Sequence, residues 1–175
     1  MPSAEKTPSP SGGRLGWGWV NSRSAKWLAL SASILILDQY TKYLIGHHLL
    51  LHEVVPVTSF FNLVLVYNPG AAFSFLADAA GWQNALFITI ALAASVWVVY
   101  LMRKHANDAF FSLALSLILA GALGNVIDRL QFGAVVDFLD FHAFGWHWPA
   151  FNVADAAISC GAALLVWDAF FPRKK

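Results

Sequence analysis

The stretch Ala109–Leu130, AFFSLALSLILAGALGNVIDRL, decides the fold of this chain. It is an apolar run long enough to cross about 30 Å of hydrocarbon as a helix that rises about 1.5 Å per residue. Its charged residues, Asp128 and Arg129, come only at the end, one helical turn after Asn125. Because an ionisable group in a membrane is costly, it indicates a functional site with a partner. The stretch therefore predicts a membrane helix that ends in a polar site.

The composition of the whole chain is typical of a membrane protein. Of the 175 residues, 58% are hydrophobic and 12% are charged, whereas a soluble domain has about a quarter charged residues. Three more stretches approach spanning length: Trp27–Ile45, Gln83–Met102 and Phe151–Phe171. We therefore predict a mainly α-helical, polytopic membrane protein with four transmembrane helices. The sequence has no basic stripe that could follow phosphates, so we expect no nucleic-acid partner.

Lysine and arginine residues predict the orientation of the spans. Nine of the eleven lie before the first span, between the second and third spans, or at the C-terminus, and the connections 47–82 and 131–150 contain none. By the positive-inside rule, both termini are then cytoplasmic and these two connections face outward. We divide the chain into a disordered cytoplasmic tail rich in Pro, Ser and Gly (residues 1–26), a four-helix membrane domain (27–171) and a basic cytoplasmic tail (172–175).

The two outer connections carry structure of their own. Phe60–Tyr67 is dense in β-branched and aromatic residues and precedes the turn signal Asn68-Pro69-Gly70, so it predicts a small extracytoplasmic β-sheet. The second connection has three Phe and two Trp residues between Phe138 and Trp148. This pattern is typical of an amphipathic segment in the membrane interface, and we expect Asp140 within it to be solvated or interfacial.

The charged residues of the spans fall at one depth. Asp38 lies about twelve residues past the cytoplasmic Lys26, roughly 18 Å along a helix. Lys42 follows one turn later on the same face, which is the spacing of a structural ion pair. Asp128 ends the third span, and Asp155 begins the fourth. Antiparallel packing would bring all of them to the outer membrane boundary.

Small and amide side chains surround these charges. Gly121 and Gly124 in the third span would allow a neighbouring backbone to approach closely. Asn125 precedes Asp128 by three residues, and Asn152 precedes Asp155 by the same spacing. Each amide could therefore hydrogen-bond to a carboxylate or to a substrate carbonyl.

Carboxylates gathered in a low-dielectric setting can catalyse hydrolysis. Two close carboxylates share a proton, so that one can take a proton from water while the other gives one to a carbonyl. The candidates are Asp128, Asp137 and Asp155, and spacing alone does not choose the pair. A salt bridge to Arg129 would instead give Asp128 a structural role, and both interpretations stay open. The histidines lack an ordered ligand spacing, so we expect no metal and no other cofactor.

A small transporter or channel is the rival function, because intramembrane charges also form proton relays. The charges here cluster at one face rather than along a path, and the chain has no internal repeat of the kind found in secondary transporters. A structural subunit without catalysis would leave three aspartates with neighbouring asparagines unexplained. We therefore favour an enzyme.

Five motifs of this chain, taken in order over about residues 27–171, resemble one known family. They are Asp38-Gln39-Tyr40-Thr41-Lys42, Asn68-Pro69-Gly70-Ala71-Ala72-Phe73-Ser74, Gly121-Ala122-Leu123-Gly124-Asn125-Val126-Ile127-Asp128-Arg129, Val135-Val136-Asp137-Phe138 and Phe151-Asn152-Val153-Ala154-Asp155. The motifs are similar to those of the bacterial lipoprotein signal peptidase, also called signal peptidase II.

The resemblance implies an aspartic endopeptidase of the cell inner membrane. Such an enzyme removes the signal peptide from lipid-modified (diacylglyceryl) prolipoproteins at the periplasmic side. The resemblance assigns the catalytic pair to Asp137 and Asp155, and it favours Asp137 over Asp128. The expected partners are these prolipoproteins and membrane lipids, and we expect a monomer. Supporting or substrate-binding roles fall on Asp38, Lys42, Asn68, Gly70, Asn125, Asp128, Arg129 and Asn152.

Overall fold

The structure, a computed structural model, describes residues 22–70 and 82–171. Within these ranges the chain forms four helices and a small antiparallel sheet. The helices are α1 (Ser22–His48), α2 (Trp82–Lys104), α3 (Ala109–Phe132) and α4 (Val153–Phe170). The strands are β1 (Val54–Pro56), β2 (Phe61–Asn68), β3 (Val135–Ala143) and β4 (Trp146–His147). Most of the predicted tails lies outside the described residues, but 22–26 already belong to α1.

Three of the four predicted spans have the length and composition to cross a membrane. These are α2, α3 and α4, with mean hydropathies of 2.3, 2.1 and 1.5. Helix α1 is longer, with 27 residues, and it carries Asp38 and Lys42 in its second half. That α1 also crosses the membrane stays a prediction.

Helix α3 is the centre of the bundle, because α1, α2 and α4 all pack against it. The close approach of α4 to α3 depends on glycine. A Cβ on Gly121 would clash with the carbonyl oxygen of Ala154, and one on Gly161 would lie 2.7 Å from the carbonyl oxygen of Ala114. The predicted approach of a neighbouring backbone is confirmed at Gly121. At Gly124 a Cβ would instead lie 2.5 Å from a side chain, the carboxylate of Asp38. The role of Gly161 was not predicted from the sequence.

Serine hydroxyls join α1 to α3 at the end of the bundle away from the sheet. Ser31 Oγ donates to the carbonyl oxygen of Ser116 at 3.1 Å, and Ser116 Oγ donates to that of Trp27 at 3.2 Å. Both serines are buried. Because hydrocarbon offers no competing hydrogen bonds, such contacts add to the association of membrane helices.

The sheet has the strand order β1-β2-β3-β4, and it packs on the far end of α1. The predicted strand in the first connection is confirmed as β2. A register shift between Leu63 and Val66 marks a bulge in β2, which puts an extra residue opposite β3. Ile45 of α1 packs with Leu65, Val136 and Phe138 in a small core beneath the sheet.

The second connection, predicted as an amphipathic segment in the membrane interface, forms strands, and its placement in the interface stays a prediction. Residues 135–143 and 146–147 are strands of the same sheet, in which Val135–Phe141 pairs with β2 and His142–Ala143 pairs with β4. Phe138 is consequently buried, while Phe144, Trp146 and Trp148 are exposed.

Substitution of Gly161 should destabilise the bundle. In Gly161→Ala the new methyl group would meet backbone atoms of α3, so we expect a loss of about 1–3 kcal/mol in unfolding free energy. Gly46→Ala is the matched control, since no atom lies within 4 Å of a Cβ built there. Alanine is the better helix former, so the control should gain up to about 1 kcal/mol. Thermal unfolding in detergent measures both, and equal melting temperatures would contradict the close packing of α3 and α4.

Candidate active site

Lys42 is the centre of a buried polar cluster that joins α1 to α3. Its Nζ donates to Asp38 Oδ2 at 2.9 Å, to Asp128 Oδ2 at 2.7 Å and to Asn125 Oδ1 at 3.3 Å. The ammonium has three donors, and this geometry gives each of them an acceptor. The predicted ion pair of Asp38 and Lys42 is confirmed as a contact. Asp128, for which the sequence left a salt bridge with Arg129 open, pairs with Lys42 instead.

The two carboxylates of this cluster also hold backbone next to the predicted catalytic aspartates. Asp38 Oδ1 accepts a hydrogen bond from the backbone N–H of Ala154 at 2.8 Å. Asp128 Oδ2 accepts one from the backbone N–H of Val136 at 3.1 Å. Ala154 immediately precedes Asp155, and Val136 immediately precedes Asp137. Each supporting carboxylate therefore fixes the main chain beside one member of the predicted pair.

Gln39 connects the same two carboxylates, and the sequence analysis gave it no role. Its Nε2 lies 3.1 Å from Asp38 Oδ2 and 3.0 Å from Asp128 Oδ1. The residue stands inside the first motif, next to Asp38. Its place in the motif is the one feature of the sequence that points to a role. The direction of its side chain depends on how α1 packs on α3, which the motif does not show.

Asp137, on β3, receives one amide donor on each oxygen. Asn68 Nδ2 donates to Oδ2 at 3.1 Å, and Asn152 Nδ2 donates to Oδ1 at 2.8 Å. The orientation of both amides is set by backbone donors, because Asn68 Oδ1 accepts from the N–H of Gly70 and Asn152 Oδ1 accepts from that of Asp155. Both NH₂ groups must therefore face the carboxylate.

Asp155 lies in the first turn of α4, whose N-cap is Asn152. Its Oδ1 accepts a hydrogen bond from Asn125 Nδ2 at 2.8 Å. The oxygen of the same Asn125 amide accepts from Lys42, which fixes its orientation in turn. Asn152 therefore touches both aspartates, through its side chain at Asp137 and through its Oδ1 at the N–H of Asp155.

The electrostatic setting of Asp137 differs from that of an exposed carboxylate. Burial and the negative charge of Asp155 raise the pKa of Asp137 to about 7, against the opposing effect of the Asn68 and Asn152 hydrogen bonds and the Lys42 charge. Asp137 is only 3% exposed. The aspartate therefore exchanges its proton near neutral pH, and Asp155 is close enough to influence that exchange.

Arg129 fixes the chain that follows β2. Its Nη2 donates to the carbonyl oxygen of Gly70 at 2.8 Å, and the guanidinium lies 5.1 Å from the ring centroid of Phe87. Because Gly70 also donates to Asn68, the arginine acts on Asp137 through two further residues. No group of three or more His, Cys, Asp or Glu side chains arranged to hold a metal occurs in the described part of the chain.

Asp140 was expected to be solvated or interfacial, and the first of these two settings is wrong. It is 7% exposed and accepts hydrogen bonds from Asn62 Nδ2 at 2.7 Å and from His147 Nδ1 at 2.9 Å. The strand pairing of β2 with β3 places Asn62 opposite Asp140. This pairing could not be predicted from the sequence, because it depends on the register of the sheet.

Removal of the Lys42 charge should be strongly destabilising. Lys42→Met leaves two carboxylates buried without their cation, which costs about 3–5 kcal/mol of unfolding free energy. Lys104→Met, at the exposed end of α2, is the matched control and should change stability by no more than about 0.5 kcal/mol. Thermal unfolding of the purified proteins in detergent measures the difference. A Lys42→Met protein as stable as the control would contradict the central role of the ammonium.

Comparison with known proteins places this arrangement in a family. The family model described as signal peptidase (SPase) II matches residues 30–171. A lipoprotein signal peptidase of Janthinobacterium sp. (strain Marseille) is 53% identical over 148 residues, which cover 85% of this chain and 90% of that protein. One from Ralstonia nicotianae is 56% identical over 142 residues, which cover 81% and 82% of the two chains.

Solved structures agree with this match. Two structures of a bacterial membrane enzyme, determined by the in meso method at 2.3 and 1.9 Å resolution, superpose with TM-scores of 0.74 and 0.75. They are 33% and 32% identical to this chain and cover 86% and 85% of it, and the matches span 93% and 95% of the solved chains. The chain therefore belongs to the signal peptidase II family, the peptidases that process lipoproteins.

Proposed function

We propose that this protein is an aspartic endopeptidase that removes signal peptides from lipid-modified (diacylglyceryl) prolipoproteins at the outer face of the bacterial inner membrane. Asp137 and Asp155 would activate the water that cleaves the peptide bond. One observation carries the proposal: a single amide, that of Asn152, binds the carboxylate of Asp137 and caps the backbone N–H of Asp155. Two carboxylates fixed in this way, one of them with a pKa of about 7, fit acid–base catalysis at neutral pH.

The reaction needs one proton on the pair at the start. Asp137 would carry it, while Asp155 stays ionised in the first turn of α4, where the helix dipole favours negative charge. Asp155 would take a proton from water as the water oxygen attacks the scissile carbonyl carbon, and Asp137 would give its proton to the carbonyl oxygen. Collapse of the resulting gem-diol would break the C–N bond. The amine of the lipid-modified cysteine would leave with a proton from Asp155, and the Asp137 carboxylate would recover one from the gem-diol.

The supporting residues would hold the two aspartates in a fixed relative position. The N–H groups beside both aspartates are bound by Asp38 and Asp128, and these two carboxylates share Lys42. Asn68 and Asn125 each add an amide donor to one member of the pair. A neutral amide orients a carboxylate without adding a charge to the site, whereas a lysine at the same place would add one.

The membrane placement supports the same substrate. With α1 as a fourth span and both termini in the cytoplasm, the site lies at the outer boundary of the membrane. A lipid-modified prolipoprotein stays in the membrane, with its cleavage site near the outer headgroups. The sheet and the pair of aspartates occupy the same end of the bundle, where they could receive that part of the substrate. The partners would then be lipid-modified prolipoproteins and membrane lipids, with the enzyme acting as a monomer.

Isosteric replacement of either aspartate should abolish cleavage. Asp137→Asn and Asp155→Asn keep the shape of the side chain but cannot transfer the proton, so we expect kcat to fall by roughly 10³-fold or more. Asp128→Asn should retain part of the activity, because Asp128 would act through Val136 and not on the substrate. The measurement is cleavage of a lipid-modified prolipoprotein by the purified proteins.

Asp168→Asn, near the opposite end of α4, is the matched control and should cleave at the wild-type rate. Full activity in Asp137→Asn together with loss in Asp128→Asn would move the pair to Asp128 and Asp155. If the wild type cleaves no lipid-modified substrate but carries protons across liposome membranes, the peptidase proposal fails and the transporter alternative replaces it.

The pH profile should report the proton on Asp137. The pKa of Asp137 is about 7, so the catalytic proton is lost as the pH rises above that value, and kcat/KM should decline there. The Asn68 hydrogen bond lowers the pKa of Asp137. Asn68→Ala should therefore raise this pKa and move the alkaline decline to higher pH. Rates of the two proteins across the neutral and alkaline range provide the measurement.

The control for this shift is Asn107→Ala, in the turn between α2 and α3 at the other end of the bundle. It should leave the alkaline decline where the wild type has it. An alkaline decline at the same pH in Asn68→Ala and in the wild type would show that another group controls the profile.

A further inference from the structure

The chain between the two aspartates folds back on itself. It leaves Asp137 along β3, turns, and returns to Asp155 at the start of α4. We call β3 the outgoing arm and residues 146–152 the returning arm. Leu139 and Phe151 bridge the two arms, with the N–H of Leu139 donating to the oxygen of Phe151 at 2.8 Å and the N–H of Phe151 donating back at 3.1 Å. The position of the returning arm therefore affects the positions of both Asp137 and Asp155.

Asp140 binds the two arms together one residue beyond this bridge. Its carboxylate oxygens lie 2.9 and 3.0 Å from Nδ1 of His147, which stands on the returning arm. Asn62 of β2 donates to the same carboxylate at 2.7 Å. Asp140 is 7% exposed, whereas more than half of the His147 side chain is exposed. The buried carboxylate of Asp140 therefore binds a histidine whose side chain is accessible to solvent.

Backbone bonds also join the returning arm to β3, from the N–H of Trp148 to the oxygen of Phe141 at 2.8 Å and from the N–H of Phe138 to the oxygen of Phe151 at 3.0 Å. Strand β4 itself is two residues long, and it pairs His142 with His147 and Ala143 with Trp146. The turn between the strands uses Phe144 at φ 51°, a left-handed conformation that is unfavourable for a residue with a side chain. The side-chain bond of His147 therefore adds to a short set of backbone bonds that fix this arm.

We propose that Asp140 and His147 are a positioning pair, in which His147 clamps the returning arm to Asp140 and protonation of the imidazole tightens the clamp. Histidine side chains generally change charge between about pH 5 and pH 8. Because the acceptor is a carboxylate, protonation of the imidazole turns this hydrogen bond into an ion pair, in which both partners are charged. That the clamp supports catalysis rests on the proposed function, whereas the clamp itself does not.

The neighbouring titratable groups are few. His142 of β3 stacks on His147 with ring centroids 4.9 Å apart, and β2 contributes the neutral amide of Asn62. Burial alone would raise the pKa of Asp140, but the hydrogen bonds from His147 and Asn62 and the charges of His147 and His142 outweigh it and lower that pKa. Asp140 is therefore ionised at neutral pH and presents a charged acceptor to His147.

Hydrogen exchange of residues 142–151 tests the clamp without any cleavage. In the wild type, protection factors corrected for intrinsic rates should be several-fold higher at about pH 5.5 than at about pH 8. Asp140→Asn and His147→Gln should both lose this dependence, because neither can form the ion pair. His48→Gln removes an exposed histidine that bonds only within α1, and it should keep the wild-type behaviour. The same pH dependence in Asp140→Asn and the wild type would overturn the proposal.

Cleavage kinetics test the positioning role. His147→Gln, at a largely exposed position, should fold normally and lower kcat/KM by roughly 3- to 10-fold on the acid side of neutrality, with a smaller loss at alkaline pH. His48→Gln should match the wild type at every pH. A loss of equal size at all pH values in His147→Gln would overturn the protonation step. If the wild type fails to cleave, the proposed function is wrong, but the exchange experiment still decides whether the clamp exists.

Discussion

The buried ammonium of Lys42 is the contact on which the rest of the site depends. It satisfies Asp38 of its own helix and Asp128 of α3, and both carboxylates are almost completely buried. Either carboxylate alone would carry a large desolvation cost, since a buried charge without a partner is among the most destabilising defects in a protein. The cation makes both tolerable, and it fixes the register of α1 against α3 because no other position would supply all of its acceptors.

The two carboxylates that share Lys42 also position two further elements, α4 and β3. Asp38 reaches the N–H of Ala154 on α4, and Asp128 reaches that of Val136 on β3. The predicted catalytic aspartates follow directly in the chain, one on a helix and one on a strand. Strand and helix are joined here by the backbone bonds between Leu139 and Phe151 and by the bond from Asn152 to Asp137. The buried carboxylates of α1 and α3 add a second set of contacts that aligns the two elements.

Much of the fold could be predicted from the sequence, but the connections of the site could not. The apolar runs predicted α2, α3 and α4, because a helix that crosses lipid needs about this length and an apolar composition. Helix geometry also predicted that the charged residues come together, which the contacts of Lys42 with Asp38 and Asp128 confirm. The sequence left open the partner of Asp128, and it misplaced Asp140 in solvent. Both depend on which helix or strand lies alongside, and local spacing carries no information about that.

The charges around the predicted pair would favour a state in which the pair carries a single proton. Asp38 and Asp128 contribute two negative charges, and Lys42 and Arg129 contribute two positive ones, so this surrounding layer is neutral as a whole. Two uncompensated carboxylates at this distance would push further protons onto the pair, and the base needed to activate water would be lost. The positive charge of Lys42 in fact lowers the pKa of Asp137, in opposition to burial. A neutral supporting layer is therefore a condition for acid–base chemistry at this site, as well as for the stability of the fold.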